Sequence, residues 1–235
     1  NSPKSVMLVN CGAEAVENAI KIARYYTKKP AIIAFEGAFH GRTLMGMTLT
    51  SKVNPYKLGL GPFAPEVYRM PFAYCYRCPY GREYPSCDVE CADKLNDFFV
   101  NHVAAEQTAA IIFEPVLGEG GFVAPPKEYF QRLQAICRKN NVLMIADEVQ
   151  SGMGRTGTMF AMEQYGVEAD LTTSAKSLAA GMPLSAVVGF LRTEPDREAV
   201  MTRAGEASAE WSVGSARPPV VRLAPAKTAV PTFTA

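Results

Sequence analysis

The sequence carries no surplus of charge: 24 Lys and Arg face 23 Asp and Glu, a formal net charge of +1 over 235 residues. Without a basic or acidic bias there is no bulk pull toward nucleic acid or an anionic membrane surface, so a partner must be recognised by a local site. No apolar run has the length of a membrane span. No basic segment followed by an apolar stretch opens the chain, so no secretory leader is expected. Six cysteines are too few for a disulfide scaffold, which points to reduced thiols and a cytoplasmic setting. No internal repeat is evident. What is present is a globular composition, 48% hydrophobic and 20% charged, in a chain long enough to bury one large core.

Apolar positions after Gly12 (Ala13, Val16, Ile20, Ala23) recur at helical spacing, with Glu14 and Glu17 early and Lys21 and Arg24 late. This predicts an amphipathic helix whose charges complement its dipole. Past Pro30, residues 31–35 (AIIAF) form a short apolar run of the kind a strand buried on both faces requires. Residues 109–113 (AAIIF) and 142–146 (VLMIA) repeat that signature, and residues 129–140 between them have helical periodicity. Strand, helix and strand in that order predict a crossover and an α/β fold with a mainly parallel sheet flanked by helices. Residues 54–91, rich in Pro, Gly, Tyr and Cys, read as a surface excursion. From residue 190 onward the chain turns Arg, Pro, Ala and Thr rich and reads as a poorly ordered tail, leaving residues 1–189 as the structured domain.

Polar residues collect where the candidate strands end. Glu114 closes AIIFE, Asp147 and Glu148 close VLMIADE, and Lys176 follows LTTSA. Open parallel sheets bind ligands beyond the carboxyl ends of their strands. An acid there, at the end of a buried apolar run, needs a cationic neighbour or a strong donor, and a protonated pyridine nitrogen is one such partner for Asp147.

The segments CGAEAVENAIKIAR, FEGAFHGRT, IIFEPVLGEGG, IADEVQSGMGRTG and DLTTSAKSLAAGMPL resemble, in order, the motifs of class III pyridoxal-phosphate-dependent aminotransferases, and among them most nearly the 4-aminobutyrate aminotransferases. The likeness runs over roughly residues 5–189. It implies the large domain of the aspartate-aminotransferase fold, pyridoxal 5'-phosphate as cofactor, and transfer of an amino group from an omega-amino acid to a 2-oxo acid such as 2-oxoglutarate. It also implies a homodimer or higher assembly, small-molecule partners, and further residues on both sides of this segment.

Carried over by position, Lys176 stands at the family's Schiff-base lysine, a role only an amine can fill. Asp147 stands at the acid that keeps the pyridine nitrogen protonated. Gly12 and Ala13 match the phosphate loop at a helix N-terminus, and Phe39 and Val149 match the residues packed on the two faces of the ring. Gln150 matches the partner of the phenolic oxygen, and Glu114 an acid at the back of the site. Arg42 matches the arginine that meets the substrate's distal carboxylate, its planar fork suiting bidentate contact. Glu119 matches an acid that pairs with an arginine of the family's C-terminal domain. The residues alone also admit plainer readings: a solvated lysine at 176, a capping aspartate at 147, core packing at 39 and 149, and a surface ion pair at 42. His40 reads as a local hydrogen-bonding residue.

Cys75, Cys78, Cys87 and Cys91 have spacings that could hold zinc or an iron–sulfur cluster, but their aromatic and proline neighbours and the unmatched second pair favour reduced structural thiols, with no metal expected. Cys11 and Cys137 read as buried small residues. The chain departs from the family at Ala13, where Ser or Thr is usual, at Ser174 and Ala180 around the lysine, and at Phe190. Its later residues lack the Gly-Thr element that completes a neighbouring subunit's phosphate site. Two other activities stay open on these residues: an amino-acid racemase of the same family, and a cofactor-binding remnant without catalysis.

Overall fold

The computed structural model describes residues 4–189 and the backbone of residues 220–223. Strand β1 (Lys4–Val9) leads into helix α1 (Gly12–Thr27), which buries Ala15, Val16, Ala19, Ile20, Ile22 and Ala23 along one face. The helix stops where Lys28 turns left-handed at φ 59° and returns its N–H to the Arg24 carbonyl, just ahead of Pro30. Then follow β2 (Ala31–Phe35), α2 (Leu44–Leu49), β3 (Val67–Met70), α3 (Glu90–Asn101), β4 (Thr108–Phe113), α4 (Lys127–Lys139), β5 (Leu143–Asp147), α5 (Met162–Tyr165), β6 (Leu171–Ser174), β7 (Ser185–Gly189) and β8 (Val220–Leu223).

These strands form one sheet in the order β3-β2-β4-β5-β6-β7-β1-β8. Neighbours from β3 to β6 are parallel, while β7 lies antiparallel to both β6 and β1, and β8 antiparallel to β1. The sheet is therefore mainly parallel, and β1, β2, β4, β5 and β6 all point the same way. Their carboxyl ends share one edge of the sheet.

Side chains alternate between two apolar layers, as the pleat requires. Ile33, Phe35, Ile111, Phe113, Met144 and Ala146 face α3 and α4, whereas Ile32, Ala34, Ile112, Leu143 and Ile145 face α1. Every residue of β2, β4 and β5 is buried, which is why each reads as an unbroken apolar run.

The run at 31–35 becomes a strand with those bounds, the second begins one residue earlier at Thr108, and the third ends on Asp147. The helix expected over 129–140 begins two residues earlier, at Lys127.

The excursion at 54–91 does not lie wholly on the surface. Within it, Val67–Met70 pairs with β2 as an edge strand, and Met70, Phe72, Ala73 and Val89 enter the core. A single ladder suffices at an edge, so VYRM can carry a polar Arg69 and still pair; its guanidinium binds the carbonyls of Thr48, Leu49 and Thr50 at the end of α2. β1 and β7, unassigned from sequence, are the short runs VMLV and AVV. The expected tail lies outside the described residues, apart from the strand at Val220–Leu223.

Candidate functional site

Because the parallel strands end at one edge, the loops that follow them converge there around a cleft of about 380 Å³. Small-molecule sites commonly span about 300 to 1,000 Å³. All eight residues expected to bind the cofactor line this cleft.

Asp147 is the last residue of β5 and only 4% exposed. Its Oδ1 accepts from Thr173 Oγ1 at 2.8 Å and from the Val149 N–H at 3.2 Å, and its Oδ2 lies 2.7 Å from His40 Nδ1. The local hydrogen-bonding role read for His40 is thus directed at the buried acid itself. Thr173, one strand over in register with Asp147, is a partner the sequence reading did not name.

Lys176 begins a short 3-10 turn just beyond β6, with a left-handed φ of 51°. Its Nζ donates to Gln150 Oε1 at 2.7 Å. Partial burial pushes the amine below the ordinary lysine value; Asp147 and Glu114 oppose that shift and Arg155 adds to it.

Glu114 ties two loops together. One oxygen accepts from the Phe39 N–H at 2.8 Å and the other from the Gly118 N–H at 3.1 Å. Burial raises its pKa, His40 pulls it down, Asp147 raises it again, and the two backbone donors hold it back.

The N-terminus of α1 forms another wall. Cys11, at the cap position, makes no side-chain bond to the first turn, and Glu14 reaches backward to the N–H and side chain of Asn10. The first-turn N–H groups are thus not covered by a capping side chain and suit an anion. A Cβ at Gly12 would stand 3.0 Å from Val149 Cγ1, so glycine lets that valine pack onto the helix start. Gly41, at φ +111°, comes so close to Ala13 that an added Cβ would be 2.8 Å from its methyl.

Arg42 and Glu119 do not line the cleft; both are exposed. They gather instead beyond Phe39 around Tyr56, which sequence reasoning missed. Tyr56 packs edge-on against Phe39 with ring centroids 4.9 Å apart and donates to Glu119 Oε2 at 2.7 Å. That bond raises the Tyr56 pKa, while nearby Arg42 lowers it.

Cys75, Cys78, Cys87 and Cys91 are free thiols around a separate cavity of about 20 Å³. Among the described residues no group of three or more His, Cys, Asp or Glu is placed to hold a metal ion. Nor, among them, is any helix long and apolar enough to cross a membrane. Cys11, read as buried, is exposed at the head of α1, because the residue before a helix lies outside its packed face; Cys137 is buried as expected.

A family model described as aminotransferase class-III matches residues 1–202. The chain is 52% identical over 186 residues to a probable 4-aminobutyrate aminotransferase of Bacillus subtilis, covering 79% of this chain and 43% of that protein. It is 50% identical to a 5-aminovalerate aminotransferase of Pseudomonas putida, covering 79% and 42%. Among solved structures, it superposes on the taurine:2-oxoglutarate aminotransferase of Bifidobacterium kashiwanohense, determined in complex with PLP and glutamate. That match has a TM-score of 0.72 and 33% identity, over 78% of this chain and 42% of the other. The chain therefore spans less than half the length of the curated relatives it matches.

Proposed function

The chain belongs to the class-III aminotransferases, and on that premise we propose that its cleft holds pyridoxal 5'-phosphate for amino-group transfer between an omega-amino acid and a 2-oxo acid such as 2-oxoglutarate. One observation carries the reading: an amine, Lys176, and a buried, hydrogen-bonded acid, Asp147, line the same cleft as a helix N-terminus open to an anion.

The residues fit the group in its separate parts. Gly12 and Ala13 offer backbone N–H groups to the phosphate, with no hydroxyl at position 13 to add a contact. Asp147 would meet the ring nitrogen, and His40, Thr173 and the Val149 N–H hold its carboxylate in one orientation. Phe39 and Val149, which line the cleft, would pack the ring, and Gln150 would meet the phenolic oxygen. Glu114 acts at the back of the site by fixing the loops that bear Phe39 and Gly118.

Bound there, the cofactor supplies an electron sink for the pair left when a proton leaves the substrate's amino-bearing carbon. Lys176 Nζ would hold the cofactor covalently and, when free of it, would be the base that moves this proton. Its lowered pKa favours the neutral amine that both tasks require. Arg42, outside the cleft lining and near Tyr56 and its partner Glu119, is the residue that would read the far carboxylate of an omega-amino acid. Relatives named for both 4-aminobutyrate and 5-aminovalerate support that class of donor. Residues 1–189 then form the large domain, and a full catalytic cycle draws on the remaining length of the family's proteins and on a second subunit. The free thiols accord with a cytoplasmic setting.

The test is spectroscopic. Pyridoxal phosphate added to the chain is expected to give the visible absorbance of a lysine-linked cofactor, fixed by borohydride reduction. Lys176→Ala is expected to abolish both. An unchanged spectrum in the variant would end the assignment.

A further inference from the structure

We infer that Glu148 is a positioning residue for the cofactor site: its buried carboxylate ties both ends of the loop at 149–161 to one point and thereby sets Gln150 against Lys176. The inference rests on the reading of the cleft given above, but its structural part can fail separately. Glu148 is 1% exposed and does not line the cleft. Its side chain reaches the far end of the loop, at Ala161 and Met162.

Three donors converge on that carboxylate. Oε2 accepts from Ser151 Oγ at 2.5 Å and from the Ala161 N–H at 3.1 Å, and Oε1 from the Met162 N–H at 2.9 Å. The main chain of Glu148 adds two further ties. Its N–H donates to the Thr173 carbonyl at 3.0 Å, and its carbonyl accepts from Gly152 at 2.9 Å. A Cβ on Gly152 would lie 2.8 Å from that carbonyl, so the chain folds back onto Glu148 too closely for any other residue.

The span enclosed is otherwise permissive. Met153, Gly154 and Gly157 have positive φ, and Gly154 and Gly157 meet no neighbouring atom where a Cβ would stand. A loop of this kind keeps its shape through its anchors rather than through packing. The residues it must place are Val149, packed on Gly12, and Gln150, whose Oε1 receives the Lys176 amine. A carboxylate is the group for the task, because it offers acceptors on both oxygens to three donors. Burial raises the Glu148 pKa, the three hydrogen bonds pull it back, and Asp147 raises it. The same bonds that hold the loop favour the charged form.

Glu148→Gln keeps the size of the side chain but turns an NH₂ group toward donors. In the full chain without added cofactor, amide hydrogen exchange over residues 149–161 is expected to rise by about tenfold while β4 and α1 keep their protection. With pyridoxal phosphate, the variant should still be reduced onto Lys176, but with affinity lowered by about tenfold and a shifted pH dependence of the lysine-linked absorbance. Ser151→Ala removes one donor, leaves the acid in place, and should show the same local effect more weakly; it decides the question if Glu148→Gln does not fold. Unchanged exchange at 149–161, or a rise spread evenly over the sheet, overturns the inference. If wild type itself retains no cofactor, the reading of the cleft fails while the exchange result still decides whether Glu148 anchors the loop.

Discussion

The cleft at the strand ends and the cavity under the cysteine segment both gather reactive side chains, yet they differ in room and in the sign of the groups brought together. The cleft, about 380 Å³, sets one amine among buried acids beside uncovered backbone donors. The cysteine cavity, about 20 Å³, is walled by four thiols with tyrosines and prolines. In the first, each charge has an opposite to meet and a ligand has space. In the second, burial and mutual repulsion both disfavour the ionised form: desolvation, then Cys87, Cys75 and Cys78, push Cys91 up to about 12.

The sharpest way to break this contrast is thiol reactivity. At pH 8 a thiol shifted from 9.0 to about 12 has roughly 1,000-fold less thiolate, since each pKa unit is a factor of ten. Cys91 is therefore expected to be alkylated by iodoacetamide about 1,000-fold more slowly than an ordinary cysteine peptide, read by peptide mass spectrometry over time. Rapid labelling of Cys91 in the folded chain would mean that the cavity is open and its thiols are candidates for chemistry after all.

Removing the acid tests the other side. Asp147→Ala leaves His40 Nδ1, Thr173 Oγ1 and the Val149 N–H without the acceptor they share, in a place where Asp147 is 4% and Thr173 0% exposed. Stranding buried polar groups in this way costs about 2 to 5 kcal/mol, which urea unfolding would register as a lower midpoint. Asp147→Asn, which keeps one acceptor oxygen, should cost less. A loss below about 0.5 kcal/mol for the alanine variant would place it with ordinary surface substitutions and show that the acid is not held by that network.

How much of this was legible in the sequence follows from what each element depends on. AIIAF, AAIIF and VLMIA could be read because a strand covered on both faces must be apolar throughout, and the polar residues that end two of them, Glu114 and Asp147, line the cleft. Lys176 follows LTTS, which is not an apolar run, and its role came from the likeness to the family. β3 was hidden because an edge strand needs only one partner and its sequence is mixed; what defines it is pairing with β2 from more than thirty residues away. The likeness to a family supplied roles for Phe39, Val149 and Gln150 that their residue types alone do not carry. It was silent about Glu148 and Tyr56. Their partners, Ala161 and Met162 for the one and Glu119 for the other, are brought to them by the fold rather than by spacing.

The smallest effect is expected at the four cysteines of the 54–91 segment. A metal that binds the folded chain and not the unfolded one stabilises it by RT ln(1 + [L]/Kd), about 2.7 kcal/mol at a hundredfold excess over Kd, which moves a melting temperature by several degrees. Four cysteines at C-x-x-C and C-x-x-x-C spacing would produce such a shift with zinc if their sulfurs could converge on one ion. Among the described residues no such group is formed. Melting of the chain is therefore expected to be the same with zinc added and after treatment with a chelator, and replacing exposed Cys75 by serine should change stability by no more than about 0.5 kcal/mol. A rise of several degrees with zinc, lost in Cys75→Ser, would turn the cavity into a metal centre and remove the distinction between the two regions. A flat response leaves the cysteines as packing groups of a segment already clamped to the body by Arg132, which binds Asp88 and Asp93.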